Sequence, residues 1–173
     1  MRFTMKIKRA IKQRVLPFIL RPFVLIAKPL ILEVINKEIR VWGDPARLNI
    51  SKKATMVNTL FNTISGCIEV GDYTYTGHNV SIITGSHQYD LLLEKRMKEF
   101  PRSGRDIIIG KGVWIGSNAT ILGPCKIGNH SVIAAGSVVV SGSNIPIGTV
   151  VAGIPAKPIK TIEAALNAKS RAI

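Results

Sequence analysis

From Ile109 onward, every sixth residue is aliphatic and β-branched: Ile109, Ile115, Ile121, Ile127, Ile133, Val139 and Ile145. A helix repeats near 3.6 residues and a half-buried strand alternates every two, so neither gives a strict period of six. A fixed internal period marks a stacked-repeat architecture. Gly follows the aliphatic residue at Gly110, Gly116 and Gly128. Two positions before it stand Val113, Ala119, Cys125, Ser131 and Ser137, all of small or modest volume. Each hexapeptide therefore supplies one large inward side chain, one small inward side chain and a turn. Three such units close a triangular coil, and stacked coils pair their backbones along the axis. The pattern predicts a parallel β-helix.

A second register lies upstream. Val70, Thr76 and Ile82 are six apart, with Gly71 and Gly77 after the first two, and Thr74, Val80 and Ser86 in the small place. Val70 and Ile109 are 39 residues apart, which is not a multiple of six, so a segment between them is looped out. Residues 86–106 (SHQYDLLLEKRMKEFPRSGRD) are polar and lack the repeat, and they are the natural insertion. Ile50 and Met56 extend the pattern weakly toward the N-terminus, and Ile68 stands out of phase. The organisation expected is a basic helical segment over 1–40, a coil over 41–160 with the inserted loop, and a C-terminal helix within 161–173. The end coils expose strand edges that need covering, and residues 1–40 are placed to cap one of them.

Charge is unevenly distributed. Lys plus Arg number 24 against 10 Asp plus Glu, a formal net charge of +14. Residues 1–30 carry eight of the basic residues and no acidic one. Residues 15–32 are mostly apolar, but Pro17, Pro22 and Pro29 break any single helix, and Arg21 and Lys28 interrupt the run. A transmembrane helix is therefore not expected, and no small-residue cleavage site marks a secretory signal. Residues 3–18 fit a short amphipathic helix with Phe3, Ile7, Ile11, Val15 and Phe18 on one face. It suits either a peripheral contact through residues 1–30 with an anionic membrane surface or packing on protein. A cytoplasmic location, with that contact at the inner face of the membrane, is the expectation. Two Cys residues exclude a disulfide scaffold, and CxxC, HExxH and GxxxxGK[ST] motifs are absent. No aromatic-studded basic motif accompanies the charge, so nucleic acid is not an expected partner.

The segment from Ile109 to Lys160, with its VWIG, IAAGSVV and AGIPAK pieces, resembles the hexapeptide-repeat acyltransferases, the left-handed β-helix family. The GHNV piece followed by Thr84-Gly85-Ser86-His87-Gln88-Tyr89-Asp90 is most similar to the short sugar O-acetyltransferases of polysaccharide and lipopolysaccharide pathways. The resemblance implies an all-β, left-handed coil and a homotrimer with active sites between subunits. It also implies direct acetyl transfer from acetyl-CoA to a sugar hydroxyl, with no acyl-enzyme. Acetyl-CoA is a co-substrate and nothing is bound permanently. An amine acceptor, a non-enzymatic scaffold and a zinc hydratase using His78, His87 and His130 are the alternatives, and no metal site is expected.

Within that resemblance His87 is the catalytic residue, at the point where the repeat gives way to the insertion. Transfer from a thioester to a hydroxyl needs a general base working near neutral pH, which imidazole supplies. A surface loop histidine is the competing reading. Asp90, Asp72, Asn79 or a carbonyl are candidates to orient it. Asn58, Asn62 and Asp90 are the candidate acceptor-binding residues, with turn formation the competing role for the asparagines. Arg96, Arg102 and Arg105 either meet an anionic acceptor or form a solvated loop face. The resemblance runs the pantetheine arm along a groove lined by Trp114, with Ala134, Ala135 and Gly136 small enough for close approach. Lys157 and Lys160 are candidates to pair with the CoA phosphates. Cys125 reads as core packing.

Overall fold

The computed structural model describes residues 39–170 and, before them, Ala27 alone. The amphipathic helix expected over 3–18 and the cap expected from residues 1–40 lie outside the described residues, apart from 39 and 40. Glu38–Ile173 forms one compact unit.

The chain winds through three five-stranded sheets in turn. The first sheet stacks Arg40–Trp42, Leu60–Asn62, Ser81–Ile83, Thr120–Leu122 and Val138–Val139. The second stacks Leu48–Ile50, Ile68–Val70, Ile107–Ile109, Cys125–Ile127 and Asn144–Ile145. The third stacks Tyr75–Thr76, Trp114–Ile115, Val132–Ile133, Thr149–Ala152 and Lys157–Thr161. Every pairing is parallel except the last, where Lys157–Thr161 folds back antiparallel on Thr149–Ala152. Ile109, Ile127 and Ile145 are direct neighbours in the second sheet, as are Ile115, Ile133 and Val151 in the third. From Ile107 onward each step along the axis thus takes 18 residues, three hexapeptides. The fold is a left-handed parallel β-helix.

The six-residue aliphatics form the axis of the core. Ile82, Ile115, Ile121 and Ile133 are completely buried, and Ile109, Ile127 and Val139 nearly so. The corners explain other residue choices. Between the third and first sheets, Asn58, Asn79, Asn118 and Gly136 all take positive φ. Asn tolerates that left-handed conformation better than other side chains with a Cβ. Gly116 packs so closely on the next coil that a Cβ would lie 2.5 Å from the Ala135 backbone nitrogen.

The structure corrects several expectations. Ile68 does not interrupt the coil: with Ile107 it occupies the small inward place, in register with Cys125. The corner before Ile68 and Ile107 contains extra residues, whereas the corner before Cys125 is the short Gly123-Pro124 link. Ser86 is not inward; it has already left the coil. Lys157–Thr161 is a fold-back strand and not a further parallel rung of the coil, and the helix Glu163–Ser170 follows it.

The extra residues all enter at one edge of the prism, the corner between the first and second sheets. From Ile121 to Cys125 that corner takes four steps, but from Phe61 to Ile68 it takes seven. From Ile82 to Ile107 it takes 21 more than the minimal corner, the length of 86–106. That segment includes the short helix Leu93–Lys98.

Two outcomes test this packing. Replacing Ile121 by Ala should lower stability to chemical denaturation by about 2–5 kcal/mol, the range for deleting a fully buried aliphatic. Burial pushes the Cys125 thiol up to about 12, whereas Cys67 is exposed. An aromatic disulfide reagent at pH 8 should therefore titrate one thiol in the native protein and both after denaturation.

Candidate functional site

The irregular corner builds a cleft. Thr84 ends the repeat there, with its hydroxyl donating to the Asn62 carbonyl at 2.8 Å and accepting the Ser65 N–H at 3.1 Å. Arg105 closes the far end of the insertion by donating from Nε to the Thr84 carbonyl at 2.6 Å. Both ends of the loop are thereby fixed to the coil. Between them the chain crosses directly over the Asn62 amide. A Cβ on Gly85 would lie 2.8 Å from both Asn62 Oδ1 and Nδ2, so any larger residue must push that amide aside. Asn62 Oδ1 accepts the Ile64 and Gly85 N–H groups at 3.1 and 3.2 Å. With both lone pairs used, the amide orientation is set, and Nδ2 is left as a donor.

His87 follows. Its Nδ1 lies 2.8 Å from the Arg96 carbonyl oxygen. A carbonyl only accepts, so Nδ1 carries the proton and Nε2 of the neutral ring keeps its lone pair. Arg96 lies in the short helix Leu93–Lys98, where the last carbonyls have no partner inside the helix. One of them is thus free to hold the imidazole. Phe100 packs against the ring edge-on, with centroids 6.0 Å apart and planes at 70°. Arg102 lies over Phe100 at 4.1 Å, which braces the ring from the loop side. Trp42, Asn62, Ile64, Gly85, Ser86, His87 and Phe100 enclose about 310 Å³.

A second groove, of about 360 Å³, lies at the corner between the third and first sheets. Gly77, Trp114, Gly116, Ser117, Ala134 and Ala135 line it, with Val132 and Ile133. Trp114 is 47% exposed and stacks on Tyr75, with centroids 6.1 Å apart and planes at 14°. Gly136 takes the positive-φ place of the neighbouring turn (φ 68°). Lys157 and Lys160 are exposed on the fold-back strand, paired with Ala152 and Val150 of Thr149–Ala152. That strand in turn pairs with Val132–Ile133, so both lysines extend the sheet that carries the groove.

The structure brings together some of the candidates from sequence and separates others. Asn62 and His87 share the cleft, while Trp114, Ala134 and Ala135 share the groove. Asn58 lies in the opposite corner, where its Nδ2 donates to Asn79 Oδ1 at 2.6 Å. This is its turn-forming role. Asp90 is exposed and does not line the cleft. Asp72 accepts from Ser51 Oγ at 2.5 Å, and that bond, with Lys53 and Lys111 nearby, holds its carboxyl below the usual range. It does not touch His87, nor does Asn79. Of the orienting groups considered, the carbonyl is the one in place. His78, His87 and His130 sit at three different corners, and among the described residues no group of three potential metal ligands occurs. Trp42, Ile64 and Phe100 escaped the sequence reading because they belong to the repeat's irregular corner. A lone Phe beside Pro101 in a polar insertion was the available signal.

Comparison with known proteins agrees with this architecture. Residues 106–141 match the family described as bacterial transferase hexapeptide (six repeats). A galactoside O-acetyltransferase from Lactococcus lactis subsp. lactis (strain IL1403) is 36% identical over 72 residues, covering 42% of this chain and 33% of that protein. The chain thus spans about a third of the length of this curated relative. A maltose O-acetyltransferase from Clostridium difficile 630 is 31% identical, covering 73% of this chain and 67% of that one, with a TM-score of 0.49. The hexapeptide-repeat-containing acetyltransferase of Vibrio cholerae is 26% identical, covering 75% of each chain, with a TM-score of 0.52. The chain belongs to the bacterial hexapeptide-repeat transferase family.

Proposed function

We propose that the protein transfers an acetyl group from acetyl-CoA to a sugar hydroxyl, with His87 as general base. The observation that carries this reading is the 2.8 Å contact between His87 Nδ1 and the Arg96 carbonyl. It leaves Nε2 as a free base beside a cleft whose Asn62 amide is also held in one orientation. The acceptor oxygen attacks the thioester carbonyl carbon as its proton passes to Nε2. The C–S bond then breaks, and the CoA sulfur leaves with the proton that Nε2 returns. Among the described residues, no Asp, Glu, Lys or Arg lines the cleft. An amine acceptor arrives as an ammonium ion and gains from a carboxylate there, whereas a hydroxyl needs none. That difference favours O-transfer over N-transfer. The acetyltransferase names of the relatives agree with the class of reaction.

CoA is assigned to the Trp114 groove, with the pantetheine arm along Ala134, Ala135 and Gly136 and the phosphates near Lys157 and Lys160. The cleft and the groove flank opposite edges of the first sheet, so one chain does not unite them. The outward face between them carries Leu60, Ile83, Leu122 and Val138, all half-buried, and exposed Val140. A second copy packed on this apolar face, as in a homotrimer, joins the cleft of one chain to the groove of the next. A role in cell-surface polysaccharide synthesis, and membrane contact through residues 1–30, rest on the sequence alone. No helix among the described residues is long and apolar enough to cross a membrane.

Acceptor-dependent thiol release from acetyl-CoA tests the assignment. His87→Ala should lower kcat by about 10²-fold or more, the scale of general base catalysis, while CoA still binds. Unchanged turnover in His87→Ala would contradict it. In the same assay, Gly85→Ala should raise the acceptor KM with little effect on that of acetyl-CoA, because the new Cβ displaces the Asn62 amide.

A further inference from the structure

The His87 cleft has one wall that neither the base nor the CoA groove uses. Trp42 lies on the first strand, paired in register with Asn62, and is 65% exposed. Phe100 contributes a second aromatic surface to the same cleft. An indole left this open on a coil is a large apolar surface facing water beside a reactive group. Beside Ile64, the polar groups are Asn62 Nδ2, the Ser86 hydroxyl and the His87 imidazole. Aromatic surface on one side and neutral hydrogen-bonding groups on the other complement a saturated polyhydroxylated ring. Such a ring presents C–H bonds on its face and hydroxyls around its rim. The volume of about 310 Å³ accommodates one such ring.

We propose that Trp42 is a specificity-determining residue, the stacking platform for the pyranose ring of the acceptor, with Phe100 as the second wall. The proposal rests on the acetyltransferase reading and adds to it the shape of the acceptor and the side chain that selects it. Stacking on Trp42 directs the hydroxylated rim toward Asn62 Nδ2 and His87 Nε2. The platform selects for ring shape and apolar face, so acyclic polyols lack the contact although they carry the same hydroxyls.

The chain has two tryptophans, so a Trp114→Phe variant leaves Trp42 as the sole indole. Its emission is titrated with methyl glucopyranosides, methyl galactopyranosides, sorbitol and 4-nitrophenol. A saturable change with at least one pyranoside and none with sorbitol is expected. In turnover assays, Trp42→Ala should raise the pyranoside KM about tenfold while kcat changes less than threefold and the acetyl-CoA KM holds. Trp42→Phe should recover most of the loss. Silence of Trp42 toward every pyranoside, an equal response to sorbitol, a response to 4-nitrophenol alone, or an unaltered KM in Trp42→Ala would each overturn the proposal. The same titration in a Trp114→Phe/His87→Ala variant separates the two readings. A retained emission change upholds the platform even if His87 proves not to be the base. A lost change with an intact coil, checked by circular dichroism, counts against the platform.

Discussion

Backbone pairing at an 18-residue interval is the constraint on which the rest of the molecule depends. Each inward aliphatic stacks on its counterpart one coil away, as Ile109 does on Ile127 and Ile127 on Ile145. A parallel strand of two or three residues has little stability alone. Here each strand inside a sheet gains a neighbour on both sides, and the β-branched side chains fill the axis. Because register is shared by all three sheets, an extra residue in one coil cannot be spread along the chain. It has to leave the prism at a corner.

The extra residues collect at one corner, and the His87 cleft lies there. The turn at Pro45–Arg47, the longer link from Thr63 to Cys67 and the insertion all emerge between the first and second sheets. Arg47 ties them together, with Nη1 donating to the carbonyls of Ile64 at 3.2 Å and Arg102 at 3.0 Å. The regular coil supplies rigidity, and the loops supply residues the repeat has no place for. A short helix inside the insertion then turns one unpaired carbonyl onto His87 Nδ1. The imidazole is oriented by backbone and not by a carboxylate.

The fold was legible because period six is a strong signal over Ile109–Ile145. The insertion was legible because it broke that period. His87, Asn62, Trp114, Ala134 and Ala135 could be singled out because they sit at or beside repeat landmarks. What the sequence did not disclose was three-dimensional in origin. Asn58 and Asn62 look equivalent in VNTLFNT, yet four residues carry the chain across a whole face, from a turn ladder to the cleft. Ile68 looked out of phase because the corner before it is three residues longer than the minimal one. Trp42 gave no signal, since its meaning depends on lying beside Asn62, 20 residues later, in the first sheet.

The account stands or falls on whether the His87 cleft of one chain works with the Trp114 groove of another. Co-expression of two differently tagged, individually inactive chains tests this most directly. One chain carries His87→Ala; the other carries Ala135→Trp, which fills the groove. Purification through both tags isolates mixed assemblies. If the site is shared between copies, some interfaces join an intact cleft to an intact groove, and acetyl transfer returns to a substantial fraction of wild type. If mixed assemblies form but remain as inactive as either parent, each chain holds its own site and the account is wrong.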